Sequence, residues 1–143
     1  MDIDINTKVD LLPFDKRFGK IWFNGEKVEW TNAKVHILNH GLHYASCVFE
    51  GERVYNGEIF KLEEHTERLF YSASRMEIKI PYSQKEINQA CKEMVLVQKV
   101  KNGYVRPLVW RGSEMMAISA QKIQFMWLLQ LGSGDHILIQ NLN

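Results

Sequence analysis

The chain has 143 residues, of which 45% are hydrophobic and 24% are charged, an ordinary composition for one globular domain. Its 18 basic and 17 acidic residues nearly balance, which argues against a charged surface that recruits nucleic acid or an anionic membrane. We therefore expect neither nucleic-acid binding nor membrane binding.

The cysteines and the apolar segments bear on the compartment. Cys47 and Cys91 form no CxxC pair and no metal-spaced set with histidine, so we expect two core thiols in a reducing environment. The N-terminus MDIDINTKVD lacks the apolar core of a secretion signal. The longest apolar run, FMWLLQL, is far shorter than the roughly 18 residues of a membrane span. These features predict a cytoplasmic protein.

The first half of the chain carries two hairpin signals. Residues 1–19 show no clear hydrophobic period and predict an N-terminal arm. Beyond them, β-prone residues flank Asn24-Gly25, and the same arrangement returns at Asn56-Gly57. An Asn-Gly pair between two short strands indicates a type I′ turn. Two such hairpins predict an antiparallel sheet.

Two amphipathic helices are predicted next. The first covers Leu62 to Met76, with acidic residues in its first turn, where the helix dipole favours them. Its apolar side is formed by Leu62, His65, Leu69, Ala73 and Met76. The second begins at a capping box of Ser83 and Glu86, and we expect Asn102-Gly103 to stop it. Its apolar stripe consists of Ile87, Ala90, Cys91, Met94 and Val97.

The segments YVRPLVW and IQFMWLLQL are predicted as the last strands. Because proline cannot donate a ladder hydrogen bond, Pro107 is expected at a sheet edge or beside a missing bond. The order ββ, ββ, α, α, β, β predicts an α+β domain with helices packed on a mainly antiparallel sheet.

The strand CVFEGERVY contains a glycine that requires an explanation. Alternation places Phe49, Gly51, Arg53 and Tyr55 on one face. Glycine inside a strand is unfavourable unless a group approaches its backbone closely or the strand bulges. Phe49 and Gly51 therefore form either a shelf for a flat ligand or a bulge with a packed phenylalanine.

Two arginines are candidate anion ligands. Tyr104 and Arg106 point the same way in YVRPLVW, and an arginine on an apolar sheet face needs an anion or a carboxylate partner. The alternatives are capture of a substrate carboxylate and a structural ion pair. Arg68 lies mid-helix, where an arginine is usually a solvated charge, unless the helix borders a phosphate site.

Other catalytic and metal motifs give no signal. His36, His40 and His43 lack a fourth ligand at zinc-site spacing, and we predict no metal. No GxSxG, Walker or GxGxxG motif occurs, so serine hydrolase and P-loop chemistry are not supported.

Several of these segments together resemble one family. IWFNGEKVEWTNAKVHILNHGLHYASCVFEGERVYNGEIFKLEEHTERLFYSA, followed by YVRPLVWRGSEMMAIS, resembles the N-terminal part of branched-chain amino-acid aminotransferases. These are class IV, fold-type IV pyridoxal-phosphate enzymes. The resemblance implies amino-group transfer between Leu, Ile or Val and 2-oxoglutarate, in branched-chain amino-acid biosynthesis.

The resemblance also assigns substrate-binding residues. It implies that Tyr44 and Phe49 line the pocket for the substrate side chain, with Gly51 close by. It implies that Tyr104 and Arg106, in YVRP, help to hold the substrate. Apolar and aromatic surface suits Leu, Ile and Val, while their carboxylate requires fixed donors.

The cofactor implied by the resemblance is pyridoxal 5′-phosphate, with Arg68 in HTERL as the ligand of its phosphate. In the family, the lysine that binds this cofactor covalently and shuttles the proton lies in a second, C-terminal domain. Lys122 lacks the glycine- and asparagine-rich context of that lysine. We therefore expect no catalytic lysine in this chain, weak cofactor binding and no activity of the chain alone.

The predicted organisation has three parts. Residues 1–19 form the arm, residues 20–121 the aminotransferase domain, and residues 122–143 a divergent tail without family likeness. The pattern suggests a truncated enzyme, which we expect to self-associate or to associate with a missing C-terminal half. The alternatives are another fold-type IV enzyme, such as a D-amino-acid aminotransferase or an aminodeoxychorismate lyase, and a non-catalytic remnant or interaction domain.

Overall fold

The computed structural model of the chain describes residues 12–114 and the backbone of residues 125–133. Its strands are β1 (Lys20–Phe23), β2 (Glu26–Glu29), β3 (Cys47–Phe49), β4 (Glu52–Tyr55), β5 (Glu58–Ile59), β6 (Gly103–Arg111) and β7 (Phe125–Ser133). Its α-helices are α1 (His40–Tyr44), α2 (Leu62–Arg75) and α3 (Gln84–Val97). Short 3-10 turns lie at Phe14–Lys16 and Trp30–Asn32.

The described strands form one seven-stranded sheet in the order β2-β1-β7-β6-β4-β5, with β3 also paired to β6. All of the pairings are antiparallel. The buried cluster joins Val54, Val105 and Val109 of the sheet to Leu69 of α2 and Ile87 of α3. The predicted α+β class is confirmed, and β7 confirms the predicted last strand.

Both Asn-Gly hairpins form as predicted. Phe23 pairs with Glu26 in the first hairpin, and Tyr55 pairs with Glu58 in the second. The φ angles are 50° at Asn24 and 92° at Gly25, and they are 51° at Asn56 and 84° at Gly57. Two successive positive φ angles define the type I′ turn, whose twist matches that of the flanking strands.

The two long helices bury most of the apolar residues predicted to face the core, with a few differences. In α2 the buried residues are Leu62, Thr66, Leu69 and Ala73, whereas Met76, predicted on this side, is 41% exposed. In α3 they are Ile87, Ala90, Cys91, Met94 and Val95, whereas Val97, predicted in this stripe, is exposed. Of the two thiols expected in the core, Cys91 is buried and Cys47 is exposed. The predicted capping box of Ser83 and Glu86 is present.

The helix α3 ends earlier than Asn102-Gly103 predicts. Its last residue is Val97, and Lys99 has a φ of 52°. The Val100 N–H donates to the Val95 carbonyl at 3.0 Å, and the Lys99 N–H donates to the Leu96 carbonyl at 3.1 Å. These two bonds form a Schellman motif, in which lysine occupies the left-handed position that usually favours glycine.

Pro107 lies in a central strand, because β6 pairs with β7 on one side and with β3 and β4 on the other. Phe49 pairs with Leu108 and Glu52 pairs with Val105. Between these pairs, Glu50 lies opposite Pro107. The Glu50 N–H donates to the Pro107 carbonyl at 3.0 Å, and proline has no N–H to return that bond. Of the two expectations, the missing ladder bond is confirmed and the sheet edge is wrong.

The described end of the predicted arm, residues 12–19, packs on Trp30. Trp30 Nε1 donates to the Phe14 carbonyl at 2.6 Å, and the Trp30 N–H donates to the Gly19 carbonyl at 2.8 Å. Residues 1–11 and most of the predicted tail, including Lys122, lie outside the described residues. The domain limits therefore stay a prediction. In the described part of the chain, none of the helices has the length and apolar character that crossing a membrane requires.

Candidate functional site

The site is built around a break between β3 and β4, at Glu50 and Gly51. The register on β6 is the same on both sides of the break, so no residue is inserted and the bulge alternative is wrong. Because side chains alternate along a strand, Phe49 and Gly51 belong to one face and Glu50 belongs to the other. We call the first the open face and the second, covered by α2 and α3, the helix face.

The open face carries a cluster of one arginine and two aromatic rings. The Arg106 guanidinium lies 4.4 Å from the Phe49 ring centroid and 5.7 Å from that of Tyr104. Arg106 Nη2 lies 3.4 Å from the Tyr104 hydroxyl, a long hydrogen bond. Phe49 is 53% exposed, whereas Tyr104 and Arg106 are half-buried. The cluster is therefore a wall with one apolar part and one cationic part.

Arg106 has no acidic partner in the part of the chain whose side chains are described, residues 12–114. The sequence left two alternatives for this residue, an anion ligand and a structural ion pair. Because no described carboxylate lies beside Arg106, the structure gives no support to a structural ion pair. A half-buried guanidinium stacked on aromatic rings retains N–H groups for an incoming carboxylate.

Gly51 is explained by the close approach of Tyr104. A Cβ atom added to Gly51 would lie 2.9 Å from Cε2 of the Tyr104 ring, closer than normal packing allows. The ring of Tyr104 therefore occupies the space above the glycine backbone, where the sequence placed a shelf for a flat ligand. The predicted shelf for a flat ligand is therefore wrong, because the Tyr104 side chain fills that space.

The helix face of the break holds a buried carboxylate. Glu50 is 5% exposed and accepts hydrogen bonds from Arg68 Nε at 2.7 Å and from Arg68 Nη2 at 2.6 Å. His65 Nδ1 lies 2.8 Å from the same carboxylate. Burial acts to raise the pKa of Glu50, but the hydrogen bonds and charges of Arg68 and His65 outweigh it and lower that pKa. Glu50 is therefore ionised at neutral pH.

Arg68 lies on α2 and keeps one side free for a ligand. Its side chain is 62% exposed, and among the described residues no hydrogen bond reaches its Nη1. Glu50 occupies two of the five guanidinium N–H groups, so donors remain for an anion. This donor set fits the phosphate end of pyridoxal phosphate, since guanidinium matches phosphate geometry.

Tyr44 ends the helix α1, which the sequence did not predict. The α1 residue Gly41 packs on Trp110: a Cβ atom added there would lie 3.0 Å from the Trp110 Cβ. Trp110 shares the open face with Arg106 because the two are four residues apart on β6. Tyr44 itself is 45% exposed and stacks on His40, with ring centroids 4.5 Å apart.

The structure thus brings together four of the predicted site residues, whereas no hydrogen bond, ion pair or ring contact among the described residues joins Tyr44 or Arg68 to those four. Phe49, Gly51, Tyr104 and Arg106 form one contact cluster, Tyr44 stacks on His40, and Arg68 is bound to Glu50. The assignments of these residues to substrate and phosphate stay predictions. Glu50 was not predicted as a site residue from the sequence. A signal was present, because alternation points this acid toward the helix that carries Arg68.

The three candidate histidines make local contacts. His40 Nδ1 lies 2.6 Å from the buried Ser46 hydroxyl, His43 Nε2 lies 2.9 Å from the Ile37 carbonyl, and His36 Nδ1 accepts from the Leu38 N–H. Over the described residues, no group of three or more His, Cys, Asp or Glu side chains is arranged to hold a metal ion.

The comparisons with known proteins identify the family. The model of the class IV amino-transferase family matches residues 47–131, which is more than half of the chain. The chain therefore belongs to the class IV aminotransferase family, and the resemblance seen in its motifs is confirmed. The match extends ten residues past Gln121, into the segment for which the sequence predicted no family likeness.

The similar proteins are branched-chain aminotransferases. A probable branched-chain-amino-acid aminotransferase of Rickettsia bellii is 50% identical over 103 residues, which cover 72% of this chain and 36% of that protein. The branched-chain-amino-acid aminotransferase of Pseudomonas aeruginosa is 45% identical over 112 residues, covering 76% of this chain and 36% of that protein. The chain thus spans little more than a third of the length of these relatives.

Solved structures give the same result. The Escherichia coli branched-chain amino acid aminotransferase matches with a TM-score of 0.78 and 32% identity, covering 82% of this chain and 41% of that one. The branched-chain aminotransferase of the archaeon Thermoproteus uzoniensis, solved with norvaline, matches with a TM-score of 0.76 and 30% identity, covering 81% of this chain and 41% of that one.

Proposed function

We propose that this chain forms the substrate-binding wall of a branched-chain amino-acid aminotransferase. The observation that carries the proposal is the half-buried Arg106, which is stacked on Phe49 and has no carboxylate partner among the described residues. A ligand with an apolar side chain and a carboxylate complements both parts of this wall. The names of the relatives support the same substrate class.

The contacts support a role for each residue of the wall. Arg106 binds the substrate carboxylate through its guanidinium N–H groups, and the nearby hydroxyl of Tyr104 helps to orient that arginine. The exposed rings of Phe49 and Tyr44 contact the aliphatic side chain, where burial of apolar surface favours Leu, Ile and Val over polar amino acids. Gly51 contributes by leaving room for the Tyr104 ring.

The proposed cofactor is pyridoxal 5′-phosphate, with Arg68 as a ligand of its phosphate. The exposure of the Arg68 guanidinium and its remaining N–H groups support this role. When bound, the cofactor would supply an electron-withdrawing ring that allows the Cα–H bond of an amino acid to break. The proposed roles of the chain's own residues are separate: Arg68 binds the phosphate, and Arg106 binds the substrate carboxylate.

We further propose that this wall needs a lysine from elsewhere for turnover. Among the described residues, no hydrogen bond, ion pair or ring contact of Phe49, Tyr104 or Arg106 involves a lysine. We propose that this lysine belongs to a part equivalent to the portion of the relatives outside the matched segment, and that the chain also associates with copies of itself. Exposed apolar side chains support association: Ile37 is 68% exposed and Leu42 is 62% exposed. A cytoplasmic location stays a prediction.

A binding experiment tests the substrate wall without requiring turnover. The probe is 4-methylvaleric acid, which is bound in the solved structure of one branched-chain aminotransferase, compared with succinic acid, whose second carboxylate replaces the branched end. Nuclear magnetic resonance titration of the purified chain is expected to show tighter binding of 4-methylvaleric acid. Arg106→Gln should weaken that binding about tenfold or more, because a hydrogen bond to a charged group contributes about 1.5–3 kcal/mol.

The control is Arg75→Gln, which removes an exposed arginine at the end of α2 and should leave the affinity unchanged. Equal weakening by both variants would indicate nonspecific charge attraction and would contradict the proposal. Amino transfer from Leu to 2-oxoglutarate by the chain alone, with pyridoxal phosphate added, would contradict the need for a separate lysine.

A further inference from the structure

The buried Glu50 lies at the break between β3 and β4, and the proposed function gives it no role. Glu50 lies opposite Pro107, which has no N–H to donate a ladder hydrogen bond, and the Glu50 side chain points to α2. Its carboxylate accepts from Arg68 Nε at 2.7 Å and from Arg68 Nη2 at 2.6 Å. The two partners differ in environment, because the side chain of Glu50 is 6% exposed and that of Arg68 is 62% exposed.

This geometry fixes the orientation of the arginine. A free arginine side chain samples many rotamers, and ordering it costs up to about 2 kcal/mol of entropy. Glu50 takes the edge of the guanidinium formed by Nε and Nη2, which leaves both N–H groups of Nη1 and one of Nη2. His65, whose Nδ1 lies 3.2 Å from Arg68 Nη2, borders the same group. One edge of the guanidinium is held by the protein and another remains available.

We propose that Glu50 is a positioning residue that presents the free edge of Arg68 to the phosphate of the cofactor. This inference rests on the proposed function, because it requires Arg68 to be a phosphate ligand. Glu50 touches neither the phosphate nor the substrate in this role. It lowers the entropy that Arg68 loses on binding, as carboxylates do when they orient the ligands of metal sites.

Positioning and plain electrostatics predict opposite results for Glu50→Gln. The ionised carboxylate of Glu50 repels a phosphate, so charge alone predicts that Glu50→Gln binds phosphate more tightly. If positioning dominates, Glu50→Gln binds phosphate more weakly, although the local charge has become more favourable. Orienting partners at metal sites commonly contribute about 10- to 100-fold to affinity, and we expect the lower end, about tenfold.

The experiment compares pyridoxamine 5′-phosphate with pyridoxamine, which lacks the phosphate; neither carries an aldehyde that reacts with surface lysines. Arginine Nε–H resonances of the labelled chain are recorded, and the Arg68 resonance is assigned by its disappearance in Arg68→Lys. Affinities are taken from the shifts of the α2 backbone amides. We expect a resolved Arg68 resonance that responds to pyridoxamine 5′-phosphate and not to pyridoxamine.

Two variants and one control separate the possibilities. Glu50→Gln and Glu50→Asp should both weaken binding of pyridoxamine 5′-phosphate about tenfold and broaden the Arg68 resonance. Glu50→Asp keeps the charge but shortens the side chain, so it tests the geometry alone and provides a second variant if Glu50→Gln does not fold. The control Glu64→Gln removes an exposed acid of the same helix, paired with Lys61, and should bind like the unmodified chain.

Unchanged or tighter binding by both Glu50 variants, with a phosphate-specific response in the unmodified chain, would overturn the positioning role and leave the proposed function intact. A response that is the same for pyridoxamine and its phosphate would instead remove Arg68 as a phosphate ligand. In that case the cofactor part of the proposed function and the positioning role fail together.

Discussion

Glu52 is a fully buried acid on the helix face of β4, and its ionisation should control the stability of the domain. It is 0% exposed, and among the described residues neither of its carboxylate oxygens has a hydrogen-bond partner. Burial, followed by the negative charges of Glu50 and Glu63, raises the pKa of Glu52 to about 8 from 4.5. The carboxyl is therefore protonated in the folded chain at neutral pH.

The sign of the pH dependence follows from the two states. Below pH 4.5 the Glu52 carboxyl is protonated in both the folded and the unfolded state, so it does not lower the free energy of unfolding. Between pH 4.5 and about 8 the unfolded chain releases the proton and the folded chain keeps it, so the free energy of unfolding falls by up to about 1.4 kcal/mol per pH unit. From pH 5 to pH 7 this loss amounts to about 2.5 kcal/mol.

Glu52→Gln should remove this loss, because glutamine has nearly the same shape and does not ionise. Urea denaturation of both proteins, followed by tryptophan fluorescence at several values from pH 5 to pH 8, gives the free energies of unfolding. The difference between the variant and the unmodified chain should change by about 2.5 kcal/mol between pH 5 and pH 7, in favour of the variant.

Burying the glutamine amide changes the free energy of unfolding by the same amount at every pH. The prediction is therefore tested by how the difference between the two proteins changes with pH. Glu26→Gln, which removes an exposed acid of β2, serves as the control and should leave the pH dependence as it is. Parallel curves for Glu52→Gln and the unmodified chain would contradict this prediction, because they would mean that Glu52 titrates alike in the folded and unfolded states.

Two further predictions concern the break and the helix cap. Gly51→Ala should destabilise the chain by about 1–3 kcal/mol, because the new Cβ would lie 2.9 Å from the Tyr104 ring. In a Tyr104→Ala background the same change should cost little, and an equal cost in both backgrounds, measured by urea denaturation, would contradict the contact. Ser83→Ala should cost about 1 kcal/mol by losing the cap of α3. A urea midpoint unchanged by Ser83→Ala would show that the cap adds nothing.

The sequence predicted features that depend on local chemistry. The two Asn-Gly turns and the Ser83 capping box follow from the preferences of a few neighbouring residues, and all three form. The end of α3 was placed too late because Lys99 adopts a left-handed conformation that glycine usually takes. There, the packing of Val100 against the core compensates for the conformational cost.

The candidate site was harder to predict because its contacts join distant segments. Alternation correctly grouped Phe49 with Gly51, and Tyr104 with Arg106, but it gave no register between the two strands. The register pairs Tyr104 with Arg53, and the side-chain contacts show that the Tyr104 ring lies over Gly51. The burial of Glu50 and Glu52 was also missed because glutamate is usually a surface residue, although alternation places both on the same face as Val48 and Val54.

The three residues Phe49, Glu50 and Gly51 explain how one short segment serves two parts of a proposed site. Because the side chains of a strand alternate, Phe49 meets Arg106 on the open face while Glu50 holds Arg68 on the helix face. Gly51, without a side chain, lets a ring from the neighbouring strand cover it. The ladder is already interrupted here by a proline, so the segment departs from regular pairing where its side chains are needed. A substitution of Phe49 should therefore act on Arg106 at the open face, and a substitution of Glu50 should act on Arg68 at the helix face.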